Sequence, residues 1–299
     1  MPLDLDDRSR ASGSAGTDHG AGIERHSGLT YRPFTTPEDA MACVALQGEI
    51  WGQNFDRVPA SIIRIVTSIG GLAIGAFDDA GTLVGFVFSL AGMRNGESIH
   101  WSHMLAVREQ LRGKGVGRHL KEMQRAECAR RGVTRVLWTV DPLQARNAHL
   151  NFNRLGVRLL DYVENMYGIT ASPLHAGLPT DRLIVMLPTT PGAPERRSVN
   201  GANGAVPVLT PFPRAGDIAV DLDDTTVPSV LIEIPTDLHQ VITTTPDVAG
   251  TWRLATRASF LHAIRRGYEV TGLRRDLTTN RAFYTLVATP PADDSRGAL

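Results

Sequence analysis

Hydrophobic positions between residues 29 and 188 follow two spacings, the alternation of strands and the 3.6-residue period of helices. Strands are predicted for LTYRPF, GLAIGAFDD, TLVGFVFSLAG, GESIHWSHMLAV, RVLWTV, VRLLDYVENMYG and DRLIVMLP. Helices are predicted for TPEDAMACVALQGEIWG, PASIIRIVTSIGG, GVGRHLKEMQRAECARRG and ARNAHLNFNRLG. The order β-α-α-β-β-β-α-β-α-β-β predicts a mixed α/β fold of the α+β class.

Composition divides the chain into five parts. We expect a disordered tail at 1–28, one domain at 29–188, a Pro- and Gly-rich linker at 189–216, a smaller α/β block at 217–290 and a tail at 291–299. The strand-helix-strand-strand order predicted for the block repeats the order of the last four elements of the domain. Either the block is a degenerate half-repeat, or a small α/β piece has this order by chance.

Charge and cysteine content exclude several classes of protein. Lysine plus arginine equals aspartate plus glutamate, 31 each, so no global field attracts nucleic acid or an anionic membrane. No apolar run approaches a membrane span, and the N-terminus lacks the order of a signal peptide. Cys43 and Cys128 lie far apart without metal-ligand spacing. We therefore expect a cytoplasmic protein with reduced thiols, no metal, and neither nucleic acid nor membrane as a partner.

A glycine-rich segment, VREQLRGKGVGRHLKEM at 107–123, lies where a predicted strand turns into a helix. Its glycines and cations are Gly113, Gly115, Gly117, Arg112, Lys114 and Arg118. Glycine permits close approach to the main chain, and a helix start offers unpaired N–H groups to phosphate. The segment lacks the Gly-Lys-Ser/Thr end of a Walker A loop and the G-x-G-x-x-G of a dinucleotide fold. In the helix that follows, Lys121 falls between the apolar positions.

The run RGKGVG at 112–117 resembles the R/Q-x-x-G-x-G/A loop of the GCN5-related N-acetyltransferases. The strand ending MLAV, the helix after the loop, the strand RVLWTV and the run RNAHLNFNRLGV resemble motifs A and B of that family in order and spacing. The resemblance covers roughly residues 29–188. It implies a mostly antiparallel sheet that splays open at its middle, flanked by helices, with acetyl-CoA or another acyl-CoA as co-substrate in the split.

The same resemblance implies the cofactor-binding residues. Main-chain N–H groups at 113–117 would hold the pyrophosphate, the strand end would pair with the pantetheine arm, and the Val107 N–H would polarise the thioester carbonyl. The full set is Leu105, Val107, Arg112, Gly113, Lys114, Gly115, Val116, Gly117, Arg118 and Asn147.

The strand GESIHWSHMLAV offers bases that would remove a proton from the attacking amine. Alternation places His100 on one face and Glu97 and His103 on the other, and a bulge near Met104 would change that assignment. Which face meets the cleft stays open. A histidine titrates near neutral pH, so His100 or His103 is chemically suitable, although each alone is better explained as a hydrogen-bonded structural residue.

The general acid is where the chain departs from the family. Many members have a tyrosine four residues before the glycine that closes the motif B helix, and here Phe152 precedes Gly156. Tyr167, our catalytic candidate, and Tyr162 lie on the next predicted strand and offer hydroxyl groups, with packing as the alternative role. Otherwise water protonates the thiolate, or the thiolate leaves unaided.

The sequence thus predicts an N-acyltransferase that moves an acetyl or succinyl group directly to a small amine such as an amino acid. The alternative is a non-catalytic acyl-CoA-binding or assembly module. The run DPLQARNAHLNFNRLG also resembles a larger bacterial subgroup with a C-terminal extension, some of it linked with N-succinylation, and Arg146 would suit a succinyl carboxylate. A homodimer is possible. In the block, we expect Arg253 and Arg257 to be exposed rather than to flank a ligand.

Overall fold

The computed structural model describes residues 22–53, 55–168, 177–190, 206–219 and 227–289. Most of the predicted tails and the middle of the predicted linker lie outside these residues. Two strands fall within segments that we expected to lack structure, β1 (Glu24–His26) in the N-terminal tail and β9 (Val208–Leu209) in the linker.

The first domain is built on an eight-stranded sheet. Its other strands are β2 (Leu29–Pro33), β3 (Leu72–Phe77), β4 (Leu83–Arg94), β5 (Glu97–Val107), β6 (Arg135–Val140), β7 (Arg158–Val163) and β8 (Arg182–Pro188). They lie in the order β1-β2-β3-β4-β5-β6-β8-β7, with every neighbouring pair antiparallel except β5 and β6. The expected mixed, mostly antiparallel sheet is confirmed.

Helices cover both faces of the sheet. They are α1 (Pro37–Trp51), α2 (Ala60–Ser68), α3 (Val116–Arg130) and α4 (Ala145–Ala148), which continues as a π-helical segment at His149–Leu155. Helix α1 begins with a capping box, in which the Thr36 hydroxyl accepts from the Asp39 N–H and the Asp39 carboxylate accepts from the Thr36 N–H. Apolar residues of α1 and α2 form a core on one face, and those of α3 form a core on the other.

The C-terminal block has a second, four-stranded sheet. It contains β9, β10 (Ser229–Ile234), β11 (Tyr268–Asp276) and β12 (Arg281–Ala288), with helices α5 (Leu238–Thr244) and α6 (Pro246–Arg265). Helix α5 was not predicted. The strand order β9-β10-β12-β11 matches β5-β6-β8-β7, and in each set the first pair is parallel and the others antiparallel.

The match between the two sets extends to backbone detail. Gly156 and Gly267 follow the helices of their sets in the left-handed conformation, with φ of 74° and 78°. In each set the next strand has a register shift at the same distance from that glycine, between Leu159 and Asp161 in β7 and between Val270 and Gly272 in β11. Chance agreement of element order does not account for this, so we favour the half-repeat interpretation.

The block and the domain share one apolar core. The Phe152 ring meets the Tyr284 ring edge-on at 5.7 Å, and the Tyr162 ring stacks on Phe260. The Tyr284 hydroxyl donates to the Pro142 carbonyl at 2.9 Å. The block therefore packs against the part of the domain that follows β6.

Two arginines of α6 form ion pairs across this contact. Arg253, which is 2% exposed, binds both carboxylate oxygens of Asp141 at 2.9 Å, directly after β6. Arg257 binds both oxygens of buried Asp181 at 2.9 and 2.7 Å. The expectation of solvent-exposed arginines was wrong, because the carboxylates they pair with lie in the first domain and are distant in sequence.

None of the helices in the described ranges is long and apolar enough to cross a membrane.

Replacing Arg253 with alanine should lower the free energy of unfolding by about 3 kcal/mol, because it leaves the partly buried Asp141 carboxylate without its main partner. Urea denaturation measures the change. Arg265→Ala, at an exposed position of the same helix, is the matched control and should change stability by less than about 0.5 kcal/mol. Equal effects of the two substitutions would show that the ion pair does not join block and domain.

Candidate functional site

A gap opens between β5 and β6 in the middle of the first sheet. The two strands pair at two positions only, His100 with Val136 and Trp101 with Leu137. Beyond Trp101, β5 stays paired with β4, but no described strand pairs with its other edge. We call this gap, bounded by the C-terminal ends of β5 and β6, the fork.

A β-bulge in β5 lies where the fork begins. Ser102 pairs with Ser89 and Met104 with Phe88, so His103 is the extra residue. The bulge reverses the alternation of side chains along the strand. His100 and Ser102 face α3 before it, and Leu105 faces α3 after it, whereas His103 and Met104 lie on the α1–α2 face.

The unpaired edge of β5 presents main-chain groups to the fork. The Arg108 N–H donates to the Val84 carbonyl of β4 at 2.9 Å, so by alternation the N–H and C=O groups of Val107 and Leu105 point away from β4. The Arg112 Nε donates to the Val107 carbonyl at 3.3 Å, which agrees with this orientation. The edge can therefore add an extended ligand as a strand adds a neighbour.

The glycine-rich loop brings the start of α3 to the same edge. Gly113 and Gly115 have φ of 79° and 86°, a left-handed conformation that other residues rarely adopt. A Cβ built on Gly117 would lie 3.6 Å from the side chains of both Leu105 and Val107. The first turn of the helix thus lies directly beside the fork.

The first N–H groups of α3 have no helical acceptor. The first bond within the helix runs from the His119 N–H to the Gly115 carbonyl at 3.0 Å, and Gly115 supplies no side-chain cap. The N–H groups at 116–118 precede that bond. Lys114 is exposed on the loop, and Arg118 is exposed in an ion pair with Glu122. Amides and cations together can bind a diphosphate.

His100 and His103 have different surroundings. His100 is 2% exposed, its Nδ1 lies 3.1 Å from the Ser89 hydroxyl, and burial together with the nearby Arg131 lowers its pKa to about 4. It belongs to the paired part of β5, before the fork. His103 lies at the bulge, and its side chain is accessible to solvent. The protein around its ring removes part of the surrounding water, and this desolvation lowers its pKa. The structure brings His103, and not His100, to the start of the fork.

The other two predicted catalytic residues lie far from each other. Glu97 begins β5 at the end away from the fork and forms an exposed ion pair with Arg135 at 3.1 Å. The Tyr167 hydroxyl lies 3.1 Å from the Thr139 hydroxyl of β6, two residues beyond the last paired position. Tyr167 therefore lies at the β6 side of the fork.

The helix after β6 positions Asn147 at an exposed site. Its carbonyl accepts from the Asn151 side chain at 2.7 Å, and the Asn151 Oδ1 accepts from the Trp138 indole at 2.9 Å. Phe152, next in the chain, is fully buried in the shared core. The position that holds tyrosine in many family members thus packs against the C-terminal block.

Sequence reasoning missed a polar cluster beneath the fork. Lys121, expected between apolar positions on the surface of α3, is 3% exposed, and its ammonium donates to Ser102 and Gln124. Lys121, Gln124 and Cys128 follow one another at helical spacing and so share one face of α3. Cys128 is an apolar residue on that face, and this was the only signal in the sequence that the face is buried. A lysine next to an apolar stripe is normally solvent-exposed, so the pattern alone pointed the other way.

Residues 45–156 match the sequence model of the acetyltransferase (GNAT) family. No curated protein matches the chain. The matched segment contains β5, the glycine-rich loop, α3, β6 and the helix that ends at Gly156.

Several solved structures match about half of the chain. The ribosomal-protein-S18-alanine N-acetyltransferase from Escherichia coli is 20% identical, with a TM-score of 0.43, over 54% of this chain and 94% of its own. An aminoglycoside 6′-acetyltransferase type Ii is 18% identical, with a TM-score of 0.44, over 55% and 99%. A GNAT family N-acetyltransferase from Escherichia coli in complex with CoA is 18% identical, with a TM-score of 0.38, over 57% and 87%.

The family match falls on the segment that forms the fork, the loop and the helix start, where the sequence resemblance had placed the co-substrate. Residues 45–156 therefore carry an acetyltransferase (GNAT) family domain.

Proposed function

We propose that this enzyme transfers an acetyl or succinyl group from CoA directly to the amino group of a small molecule such as an amino acid. The observation that carries the proposal is the fork, whose unpaired β5 edge leads from the open N–H groups of α3 to the bulge at His103. A site of this form suits a ligand with a diphosphate at one end and an amide-containing arm behind it.

The residues present fit the diphosphate and the arm of CoA. The main-chain N–H groups at 116–118 bind the diphosphate, and Lys114, Arg112 and Arg118 contribute charged donors. The N–H and C=O groups of Val107 and the C=O group of Leu105 pair with the amides of the pantetheine arm, as a strand edge pairs with a peptide. Asn147 binds the arm from the other wall of the fork.

The chemistry needs a neutral amine and a polarised thioester. A main-chain N–H nearer the bulge than Val107, that of Leu105 on the unpaired β5 edge, donates to the thioester oxygen and stabilises the charge that develops on it. His103 lies on the α1–α2 face at the bulge, so we assign it the removal of the proton from the amine. The uncharged imidazole is the form that a base requires, and the lowered pKa of His103 favours that form.

A succinyl group differs from an acetyl group by its terminal carboxylate, so the choice between the two donors depends on a cation that binds this carboxylate. Arg146 is exposed on α4, next to Asn147, and can bind the terminal carboxylate of a succinyl group. Thiol release should therefore be followed with acetyl-CoA and succinyl-CoA against a panel of amines and amino acids. Release that depends on the acceptor is the expected result. CoA binding without such release would instead support the non-catalytic acyl-CoA-binding module.

Replacing Lys114 with alanine should weaken CoA binding about tenfold, because a charge-assisted contact to phosphate contributes about 1.5 kcal/mol. Isothermal titration calorimetry measures the affinity, and pantetheine serves as the ligand without a diphosphate. The loss should be absent with pantetheine. Arg64→Ala, at an exposed position of α2, is the control and should leave both affinities unchanged. An equal loss with both ligands would remove Lys114 from the diphosphate site.

Replacing His103 with glutamine should lower kcat by about a hundredfold or more, because proton transfer by a positioned base contributes at least that much. A base works deprotonated, and the pKa of His103 is lowered, so the wild-type rate should persist as pH falls through 6.5 and decline only below it. The variant should lose this decline. His239→Gln, an exposed histidine in the C-terminal block, should keep both kcat and the pH profile. An unchanged kcat in His103→Gln would exclude His103 as the base.

A further inference from the structure

A buried lysine connects the two strands of the fork on the face towards α3. The Lys121 Nζ donates to the Ser102 hydroxyl of β5 at 2.8 Å and lies 3.5 Å from the centre of the Trp138 ring of β6. Its third contact is the Gln124 Oε1 at 3.1 Å. The three hydrogens of the ammonium are thus directed at two oxygens and one aromatic face.

The position of this contact is specific. Ser102 and Trp138 are the residues directly after Trp101 and Leu137, the last pair that joins β5 and β6. The Lys121 ammonium therefore lies at the closed end of the fork, where the reacting end of an arm laid along β5 arrives. His103, one residue beyond Ser102, faces the opposite side of the sheet.

No described carboxylate pairs with Lys121, which is unusual for a buried cation. Burial lowers its pKa well below the usual range, against a small opposing effect of the Cys128 thiol on the same helix. The Gln124 Nε2 in the same cluster is buried and lacks a hydrogen-bond partner among the described residues. Since Ser102 accepts from Lys121, the hydrogen of its own hydroxyl remains available to donate.

We propose that the Ser102 hydroxyl is the general acid for the leaving thiolate, with Lys121 as the group that positions it and resupplies its proton. This proposal rests on the function proposed above. When the tetrahedral intermediate collapses, the carbon–sulfur bond breaks and its electron pair goes to sulfur. Sulfur takes the Ser102 proton, and Ser102 takes one from Lys121. The proton that the amine loses passes to His103 or water, and after the thiol leaves, water in the fork returns a proton to Lys121 through the Ser102 hydroxyl, so the products are an amide and free CoA thiol.

With this assignment, Ser102 supplies the proton for the leaving thiolate, which the side chain of Phe152 cannot supply. Phe152 is fully buried against Tyr284 and carries no ionisable group. Base and acid then lie on opposite faces of one strand, at adjacent residues of a bulge. The amine approaches from the α1–α2 face, and the sulfur lies towards α3.

Steady-state kinetics of Ser102→Ala and Lys121→Met test the proposal. Both variants should lower kcat about a hundredfold while KM for the acyl-CoA stays within about twofold, because the proton is needed only as the bond breaks. An acid works protonated, so the wild-type rate should also fall as pH rises through the pKa of Lys121. Lys121→Met should lose that fall. Ser102→Thr keeps the hydroxyl and should keep most of the rate, and thermal unfolding checks that each variant is folded.

An independent measurement follows Lys121 itself. The chain contains two lysines, Lys114 and Lys121, so protein labelled with ¹³C at lysine Cε gives two signals, and Lys114→Ala assigns them. Lys121 should titrate well below the ordinary lysine value of about 10.4. Addition of CoA should shift the Lys121 midpoint, because a thiol or thiolate then lies next to the Ser102 hydroxyl.

The outcomes separate the two proposals. If the wild-type enzyme transfers acyl groups but Ser102→Ala and Lys121→Met keep kcat and the fall at high pH, the acid assignment is overturned and the proposed function stands. An ordinary titration of Lys121 that CoA does not change also overturns the assignment. So does acetylation of Lys121 on incubation with acetyl-CoA, which would make it an acceptor. A wild-type chain that transfers no acyl group overturns both proposals.

Discussion

The early end of pairing between β5 and β6 is the constraint on which the site depends. Two positions of parallel pairing hold the strands together, and the bulge at His103 then turns β5 away. Main-chain groups left without a partner in the middle of a sheet are costly to bury unless something else bonds them. A ligand with its own amides satisfies that requirement, so the same backbone geometry that interrupts the sheet creates affinity for an extended arm.

The glycine-rich loop and the C-terminal block act on the two sides of the fork. Left-handed glycines let the loop turn from β5 into α3 within a few residues, and thus place the open amides of the helix beside the unpaired edge. On the other side, α6 of the block fixes the end of β6 through the ion pair of Arg253 with Asp141. The shared core around Phe152 and Tyr284 holds this wall against the block. The block therefore supports the β6 side of the fork, while its own strands repeat the topology of the half on which it packs.

Much of the fold could be predicted from local sequence, and the failures have physical causes. Apolar periodicity identified the long strands and helices. The predicted segments that begin at Thr36 and end at Gly132 and Gly156 agree with the structure, because capping and the left-handed conformation depend on adjacent residues only. The strand β9 was missed, because two residues give no periodicity. The ion pairs of Arg253 and Arg257 were missed because their carboxylates are more than seventy residues away in the chain.

The candidate site divides in the same way. The loop has a local signature, so its residues could be predicted as a phosphate site from the sequence alone. The face of β5 that carries a base depended on one bulge, which alternation alone does not reveal, and the structure separates His103 from His100 on that basis. Lys121 was missed because its burial depends on contacts that are not local in sequence. Ser102 belongs to β5, which precedes α3 in the chain, and Trp138 belongs to β6, which follows it.

Hydrogen exchange of the main-chain amides, followed by mass spectrometry or NMR with and without CoA, tests the central claim most directly. The claim is that the unpaired edge of β5 and the first turn of α3 bind the same CoA molecule jointly. Exchange should slow at Leu105, Val107 and residues 116–118 when CoA is present, because those N–H groups gain acceptors, and it should change little in β11 and β12. CoA binding that leaves exchange at Leu105 and Val107 unchanged would contradict the account.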